Sequence, residues 1–239
     1  MQLKVGFVGC GTIAAAICTG LNSQTSPVTI SHSYVSTRSA AKSAALLAQF
    51  GADKITVVDD NQSIVDAADL IFLCVLPQHY EEILQSLTFT PDRHTLVSLV
   101  STSTIAQLVT LSKLPAAHVH KMICLPSVST HDGTCLLTPK SGAALPLKTI
   151  LDTLGGCVEC ESEKIMTAMM IPACLMGPYY KILQNNRDWM IKQVSAESYG
   201  RPAFCRPAFR RVPFRRYHGA ATIAPINVPL FPDALFCSH

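Results

Sequence analysis

A glycine-rich turn near the N-terminus carries the residues whose types and spacing most directly indicate chemistry. Gly9, Gly11 and Ala14 form a G-x-G-x-x-A pattern immediately after the apolar run at residues 3–8. Gly9 permits a tight turn, Gly11 lets the backbone approach a pyrophosphate, and Ala14 lets the following helix pack closely on the strand. The pyrophosphate would bind the free N–H groups at the helix N-terminus. The predicted dinucleotide-binding turn comprises Gly9, Cys10, Gly11, Thr12, Ile13 and Ala14.

The end of the second predicted strand indicates which dinucleotide binds. The stretch there includes Ser36, Thr37, Arg38 and Ser39, and it contains no acidic residue. An acid at this point would bind the ribose 2′-hydroxyl of NAD, whereas hydroxyl and guanidinium groups suit the 2′-phosphate of NADP. We therefore expect NADP(H) as the cofactor, bound through Ser36, Thr37 and Arg38. The alternative is that Arg38 is a solvated surface charge and Ser39 only caps the next helix.

The elements that must position these residues follow from an alternation of short apolar runs and helical patterns. Strands are predicted at residues 3–8, 28–36, 54–58, 69–75, 95–99, 118–123, 133–137 and 157–160, and helices at 12–22, 40–50, 61–67, 78–87, 103–112 and 145–154. This order predicts right-handed βαβ units and an α/β fold with a doubly wound, mostly parallel Rossmann sheet. The continuous hydrophobicity of residues 70–75 is typical of a strand covered on both faces.

Composition divides the chain into three parts. Hydrophobic residues make up 49% of the 239 residues and charged residues 15%, which is enough apolar material for a substantial core. We assign residues 1–160 to the NADP-binding Rossmann domain and 161–193 to a helical region, with helix breaks expected at Pro172 and at Gly177-Pro178. Residues 194–239 form a tail rich in Pro, Arg and Phe that we expect to be irregular.

Charge and hydropathy limit the partners that the chain can have. The net charge of +3 is too small to indicate a nucleic-acid-binding protein, and no apolar run approaches the roughly 20 residues of a membrane span. No signal peptide precedes the first strand, and most of the 10 cysteines lie in apolar runs, which indicates reduced thiols. We expect a cytoplasmic protein with no membrane or nucleic-acid partner.

The sequence contains two groups of potential metal ligands. Cys157 and Cys160 have the C-x-x-C spacing of redox and zinc sites, but no second pair and no suitably spaced histidine follows them. His118 and His120 would need a third ligand such as His94 or His131. We expect structural thiols and no metal site.

Several segments, in order, resemble the pyrroline-5-carboxylate reductase family. The resemblance begins with the glycine turn and continues through the turn after the second strand. It extends to three later segments, at 73–78 (V-K-P-Q in the family), 120–127 (R-x-M-P-N) and 174–178 (S-G-S-G-P-A). It covers about residues 1–193. It implies NADPH-dependent hydride transfer to the C=N bond of 1-pyrroline-5-carboxylate, which forms proline.

The resemblance also implies roles for particular residues, without assigning a catalytic one. Val75, Leu76 and Pro77 would contribute to the cofactor site. Pro126, Ser127, Gly177 and Pro178 would bind the imine substrate. The helical region would pair two or more copies of the chain into a homo-oligomer.

Departures from the family pattern lie mainly in the substrate half. Leu76 replaces the lysine of V-K-P-Q, Ser127 replaces the asparagine of M-P-N, and Cys174 and Met176 replace serines around the G-P turn. Nothing after residue 192 resembles the family's later helices, so we expect weak dimerisation. Two alternatives therefore stay open: a catalytically inactive NADP-binding relative, and a reductase of another small cyclic imine.

The tail has a composition of its own. Residues 201–239 hold six Arg, no Lys and six of the 15 Pro, with a short R-P-A-F repeat. This spacing of prolines opposes a stable helix. The alternatives are an irregular tail, an altered reading frame or terminus, and a basic, aromatic patch at 201–216 that binds nucleic acid or an anionic membrane surface.

Overall fold

The structure is a computed structural model that describes residues 2–23, 29–141 and 145–193. The predictions for the tail at 194–239 lie outside the described residues. In chain order the elements are β1 (Gln2–Val8), α1 (Thr12–Asn22), β2 (Thr29–Ser36), α2 (Ala40–Phe50), β3 (Ile55–Val58), α3 (Asn61–Ala67), β4 (Leu70–Leu73), α4 (Tyr80–Ser86), β5 (Thr95–Ser98), α5 (Ile105–Ser112), β6 (Val119–Ile123), β7 (Cys135–Thr138), α6 (Leu147–Asp152), β8 (Cys157–Glu159), α7 (Glu163–Cys174) and α8 (Met176–Gln193).

The strands form one sheet in the order β3-β2-β1-β4-β5-β6-β7-β8. Neighbouring strands are parallel except β6 and β7, which pair antiparallel. The strand order reverses between β1 and β4, and in open α/β sheets ligands bind at such a switch point, outside the carboxyl ends of the strands. The predicted doubly wound, mostly parallel Rossmann sheet is confirmed.

Local signals explain where the helices near the switch point begin and end. Asp60 caps α3, because its carboxylate accepts a hydrogen bond from the backbone N–H of Ser63 at 2.8 Å. Gly51 ends α2 with a φ of +80°, a conformation that glycine adopts without strain. Thr104 and Gln107 form a capping box at the start of α5.

The apolar core covers both faces of the sheet. Side chains alternate along β4: Leu70 and Phe72 join one buried cluster, and Ile71 and Leu73 join the other. In the first cluster the rings of Phe7 and Phe72 stack with centroids 5.3 Å apart. The expectation that β4 is covered on both sides is confirmed.

Two compact units divide the chain between Met166 and Thr167. The second unit contains most of α7 and all of α8. The predicted helix breaks are misplaced, because Pro172 lies within the last turn of α7 and the interruption falls at Leu175. The Gly177-Pro178 pair lies in the first turn of α8, where a proline removes no intrahelical hydrogen bond. Within the described residues, no helix combines the length and the apolar character needed to cross a bilayer.

Candidate functional site

The turn between β1 and α1 has the backbone geometry that the glycine pattern predicts. Gly9 adopts a φ of +90°, and a Cβ atom placed there would lie 2.6 Å from the carbonyl oxygen of Cys74. No other residue fits that position, because the turn packs directly on the end of β4. At Gly11 a Cβ atom would meet no atom within 4 Å. The space beside Gly11 is therefore open, as close approach by a ligand requires.

The N-terminus of α1 is free to bind an anion. The backbone N–H of Ala15 donates to the carbonyl of Gly11 at 3.0 Å, which closes the first helical turn. The N–H groups of Thr12, Ile13 and Ala14 precede that bond and have no intrahelical acceptor. No side chain caps the helix at Gly11. These donors, with the positive end of the helix dipole, could hold an anionic group.

Cys10, at the centre of this turn, adds no negative charge that would oppose an anion. Its side chain is 1% exposed, and burial raises the pKa of the thiol. Burial also raises the pKa of Cys74, at the neighbouring end of β4, well above its ordinary value. Both groups are therefore neutral thiols near neutral pH, and neither is suited to act as a nucleophile.

The end of β2 presents hydroxyls and a guanidinium to the same edge of the sheet. The Oγ of Ser36 accepts a hydrogen bond from the backbone N–H of Arg38 at 3.2 Å and so holds the 3₁₀ turn Thr37–Ser39. The carbonyl of Ser36 accepts a hydrogen bond from the Ser43 hydroxyl at 2.8 Å, which fastens this turn to α2. Arg38 is exposed, and its guanidinium makes no hydrogen bond or ion pair with another described residue.

Residues at or just after the ends of β1, β2, β3 and β4 line a cavity of about 240 Å³. It is lined by Gly9, Ser36, Thr37, Arg38, Asp59, Asn61, Val75 and Ile83. A second cavity of about 330 Å³ adjoins it, since Arg38, Asn61 and Ile83 line both. His79 and Glu82 complete the second cavity together with Ser86. The structure thus places Gly9, Ser36, Thr37, Arg38 and Val75, five residues of the predicted cofactor site, around one space.

Three of the lining residues were not predicted from the sequence. Asp59 and Asn61 follow β3, and Ile83 lies on α4. The predicted strand at 54–58 and helix at 61–67 leave Asp59 in the loop between them. The sequence did contain a signal for Asp59, because this residue directly follows a predicted strand. The carboxyl ends of neighbouring parallel strands lie at the same edge of a sheet.

The other predicted cofactor residues lie close by but outside that space. Leu76 and Pro77 follow Val75 and are exposed, Leu76 to 55%. The backbone carbonyl of Leu76 accepts a hydrogen bond from the N–H of His79 at 3.0 Å. An apolar, exposed side chain stands where the resemblance has a lysine, and the structure shows no described contact that explains it.

The four predicted substrate residues fall into two pairs in different units. Pro126 and Ser127 begin a 3₁₀ turn, Pro126–Thr130, which follows the carboxyl end of β6 and packs against α1. The carbonyl of Ser127 accepts hydrogen bonds from the Thr130 hydroxyl and the N–H of Asp132. Gly177 and Pro178 are exposed in the first turn of α8, in the second unit.

The potential metal and redox ligands lie in buried or hydrogen-bonded positions. Burial raises the pKa of Cys157 to about 12 and also raises that of Cys160. His118 lies in the turn before β6, and its Nδ1 lies 3.2 Å from the carbonyl of His94. Across residues 2–23, 29–141 and 145–193, no three side chains of His, Cys, Asp or Glu are grouped so that they could hold a metal ion.

Comparison with known proteins finds relatives in the region that carries this site. Residues 4–102 match the family model described as NADP oxidoreductase, coenzyme F420-dependent. The pyrroline-5-carboxylate reductase 3 of Danio rerio is 32% identical over 161 residues, which cover 65% of this chain and 52% of the relative. The pyrroline-5-carboxylate reductase of Escherichia coli K12 is 36% identical over 122 residues, covering 50% of this chain and 41% of the relative.

The chain is similar in sequence to these pyrroline-5-carboxylate reductases. It spans about half the length of the curated relatives it matches. The crystal structure of the Plasmodium falciparum pyrroline carboxylate reductase with NADP bound has the same fold. It superposes with a TM-score of 0.63 at 15% identity, covering 82% of this chain and 72% of that one. The resemblance stated from the sequence motifs is confirmed.

Proposed function

We propose that this chain uses NADPH to reduce the C=N bond of 1-pyrroline-5-carboxylate, forming proline by hydride transfer. One observation carries most of the proposal. The open glycine turn, the hydroxyls at the end of β2 and the guanidinium of Arg38 meet at one cavity outside the switch point of the sheet. The sequence kinship to pyrroline-5-carboxylate reductases supports the choice of reaction.

The residues at this edge fit a phosphorylated dinucleotide. The free N–H groups of Thr12, Ile13 and Ala14 would hold the pyrophosphate, which approaches past Gly11 where a side chain would block it. Arg38 would bind the 2′-phosphate, because a planar guanidinium matches a phosphate in shape and charge. The Plasmodium falciparum enzyme, which shares the fold, holds NADP.

In this reaction the protein would position the cofactor and the substrate and exclude water from them. When bound, the nicotinamide supplies the hydride that reduces the imine carbon. Val75, Leu76 and Pro77 would form one wall of the site, beside the end of β4. Ser127 would offer a hydroxyl donor to the imine, whose carbon accepts hydride more readily when the nitrogen is hydrogen-bonded or protonated. A substrate held in this way loses little entropy on reaching the transition state.

We assign the substrate carboxylate to the first turn of α8. Gly177 and Pro178 lie there, and a helix N-terminus favours an anionic group. Pro178 has no N–H, so the donors would be those of the neighbouring residues. The assignment predicts that Gly177→Val raises the KM for the imine and leaves NADPH affinity unchanged.

The test of the proposed reaction is NADPH oxidation by the purified chain with 1-pyrroline-5-carboxylate, with NADPH binding measured on the same sample. We expect turnover with NADPH, slower turnover with NADH, and proline as the product. NADPH binding without turnover on any imine would contradict the proposal and identify an inactive relative. Turnover confined to another cyclic imine would contradict the choice of substrate.

We also propose that the chain self-associates through α7 and α8. Ile171, Leu175 and Trp189 are each more than 60% exposed, which leaves large apolar side chains on these helices in contact with water. A second copy of the chain would cover them. We expect association that is weak and depends on concentration, as measured by light scattering over a dilution series. A mass equal to one chain at every concentration would contradict this part of the proposal.

A further inference from the structure

Two opposite charges line the cavity without pairing with each other. Arg38 and Asp59 both line the space of about 240 Å³, and no ion pair joins their side chains in the described chain. Neither makes a side-chain hydrogen bond to another described residue. Both side chains are exposed, so solvent satisfies them when no ligand is present. A ligand that displaces this solvent would satisfy both side chains by placing an anion beside Arg38 and a hydrogen-bond donor beside Asp59.

The carboxylate can only accept hydrogen bonds, and this restricts what lies beside it. A phosphate next to Asp59 would be repelled, so the phosphate-binding side of the cavity is the side of Arg38. The proposed dinucleotide has one donor group at the far end of its adenosine half, the exocyclic amine of adenine. An amine there matches an unpaired carboxylate.

The order of the strands matches the order of groups along the cofactor. The pyrophosphate site lies at the end of β1, and Arg38 lies at the end of β2, one strand further out. Asp59 follows β3, the outermost strand, two strand spacings or about 10 Å from β1. Along the cofactor, the pyrophosphate is followed by the ribose phosphate and then by the base, which is the same order as that of the strands. Val75 and the half-buried Ile83 give the cavity apolar surface for the flat base.

We propose that Asp59 accepts a hydrogen bond from the exocyclic amine of adenine and so makes this cavity select adenine over a 6-oxopurine. The inference rests on the proposed function, because it assumes that NADPH binds here. A carbonyl oxygen in place of the amine would face the carboxylate and be repelled by it. The residue therefore sets the base specificity of the cofactor site, as Arg38 sets its phosphate specificity.

The experiment compares NADPH with its reduced hypoxanthine analogue, in which the 6-amino group is replaced by a carbonyl oxygen. We expect the wild-type chain to bind NADPH about tenfold more tightly than the analogue, measured by fluorescence titration. Asp59→Asn should remove or reverse that ratio, because an amide can donate to the 6-oxo group. Asp60→Asn is the matched control. Asp60 caps α3 through the N–H of Ser63, and an asparagine amide oxygen can accept the same bond, so this variant should keep both its thermal stability and the ratio.

The outcomes separate the inference from the proposed function. Equal wild-type affinities for the two nucleotides would overturn the role of Asp59 and leave the cofactor site intact. An unchanged ratio in Asp59→Asn, with both affinities lowered equally, would also overturn it, because the carboxylate would then not distinguish the bases. A wild-type chain that binds neither nucleotide would overturn the proposed function and this inference together.

Discussion

The two edges of the Rossmann sheet use their polar groups in different ways. At the amino edge, before β4 and β5, the charged groups bond to one another and to the backbone. The Nε of Arg93 donates to the Asp69 carboxylate at 2.9 Å, and its Nη1 donates to the carbonyl of Asp66 at 2.8 Å. The other oxygen of Asp69 accepts a hydrogen bond from the backbone N–H of Lys4. These bonds join the starts of three elements.

At the carboxyl edge, two charged side chains near the glycine turn have no partner in the described chain. Arg38 and Asp59 line a cavity and bond to nothing within it. The N-terminus of α1 has no side-chain cap, whereas Asp60 caps α3 and Thr104 caps α5. An unsatisfied donor or acceptor lowers stability unless water or a ligand satisfies it. The comparison teaches that unpaired charges and an uncapped helix gathered around one cavity indicate a ligand site, whereas the ion pair on the opposite edge stabilises the fold.

The largest effect is expected from substitutions at the glycine turn, where two neighbouring glycines should fail in different ways. Gly11→Val should reduce NADPH affinity at least a hundredfold, roughly 3 kcal/mol, because the side chain fills the path of the pyrophosphate. Its melting temperature should change little, since no atom lies within 4 Å of the new Cβ. Calorimetric titration and thermal melting check both. Unchanged NADPH affinity in Gly11→Val would contradict the assignment of the cofactor site.

Gly9→Ala is the matched variant for that experiment. Here the Cβ would lie 2.6 Å from a backbone oxygen, in a backbone conformation that only glycine adopts readily. We expect this variant to lose several kcal/mol of stability or to fail to fold. A Gly9→Ala protein as stable as the wild type would show that the turn is not packed as described.

The next largest effect distinguishes Arg38, at the carboxyl edge of the sheet, from Arg93, at the amino edge. Arg38→Ala should weaken NADPH binding by about ten- to a hundredfold and leave NADH binding unchanged, because only NADPH carries the 2′-phosphate. Arg93→Ala should leave both affinities unchanged and lower the free energy of unfolding by about 1 kcal/mol, since its ion pair is half exposed. Equal losses for NADPH and NADH in Arg38→Ala would refute the 2′-phosphate assignment.

A smaller effect is expected at a carboxyl-edge cation that does have a partner. Lys121 is buried on β6, and its Nζ lies 3.5 Å from the carboxylate of Glu163 and within bonding distance of the carbonyl of Ser103. Glu163→Gln removes the countercharge of a buried ammonium and should cost roughly 1–3 kcal/mol of stability in urea unfolding. NADPH affinity should stay within about twofold of the wild type. A large loss of affinity would mean that Lys121 belongs to the site.

The smallest effect concerns a buried histidine at the amino edge. His94 is 1% exposed, its Nδ1 accepts a hydrogen bond from the N–H of Thr90, and its Nε2 has no partner among the described residues. Burial lowers its pKa, so the unfolded chain takes up a proton near pH 6.5 while the folded chain resists it. Stability should therefore be intact above about pH 6.5 and decrease as the pH falls below it.

Denaturation at a series of pH values checks this prediction, with His94→Gln as the comparison. The variant should lose less stability than the wild type on acidification. A residual loss is expected, because burial also lowers the pKa of His120. Identical pH dependence in the two proteins would show that His94 does not contribute.

Local signals made the first half of the fold predictable from the sequence. The bounds of α1, α2 and α3 agree with the prediction because a glycine turn, the C-cap Gly51 and the N-cap Asp60 each act within a few residues. The starts of α4 and α5 fall two residues later than predicted. The start of α4 has no side-chain cap to mark it, and the prediction for α5 overlooked the capping box of Thr104 and Gln107.

Features that depend on distant residues could not be predicted. The antiparallel direction of β7 leaves no mark on its own residues, because strand direction is decided by how the connections pack. Asp59 joins the cavity only because β3 lies beside β2, and that neighbour relation is set by the order of strands in the sheet. The interruption at Leu175 follows Pro172 by three residues, since a proline in the last turn disturbs the helix without marking its end.

The most direct test of the assigned cofactor site is an equilibrium titration of the wild-type chain with NADPH and with NADH, repeated with Arg38→Ala. We expect NADPH to bind at least tenfold more tightly than NADH to the wild type and the variant to bind both with similar affinity. A wild-type chain that binds neither nucleotide, or a preference for NADPH that survives in Arg38→Ala, would contradict the assignment of the carboxyl edge as the cofactor site.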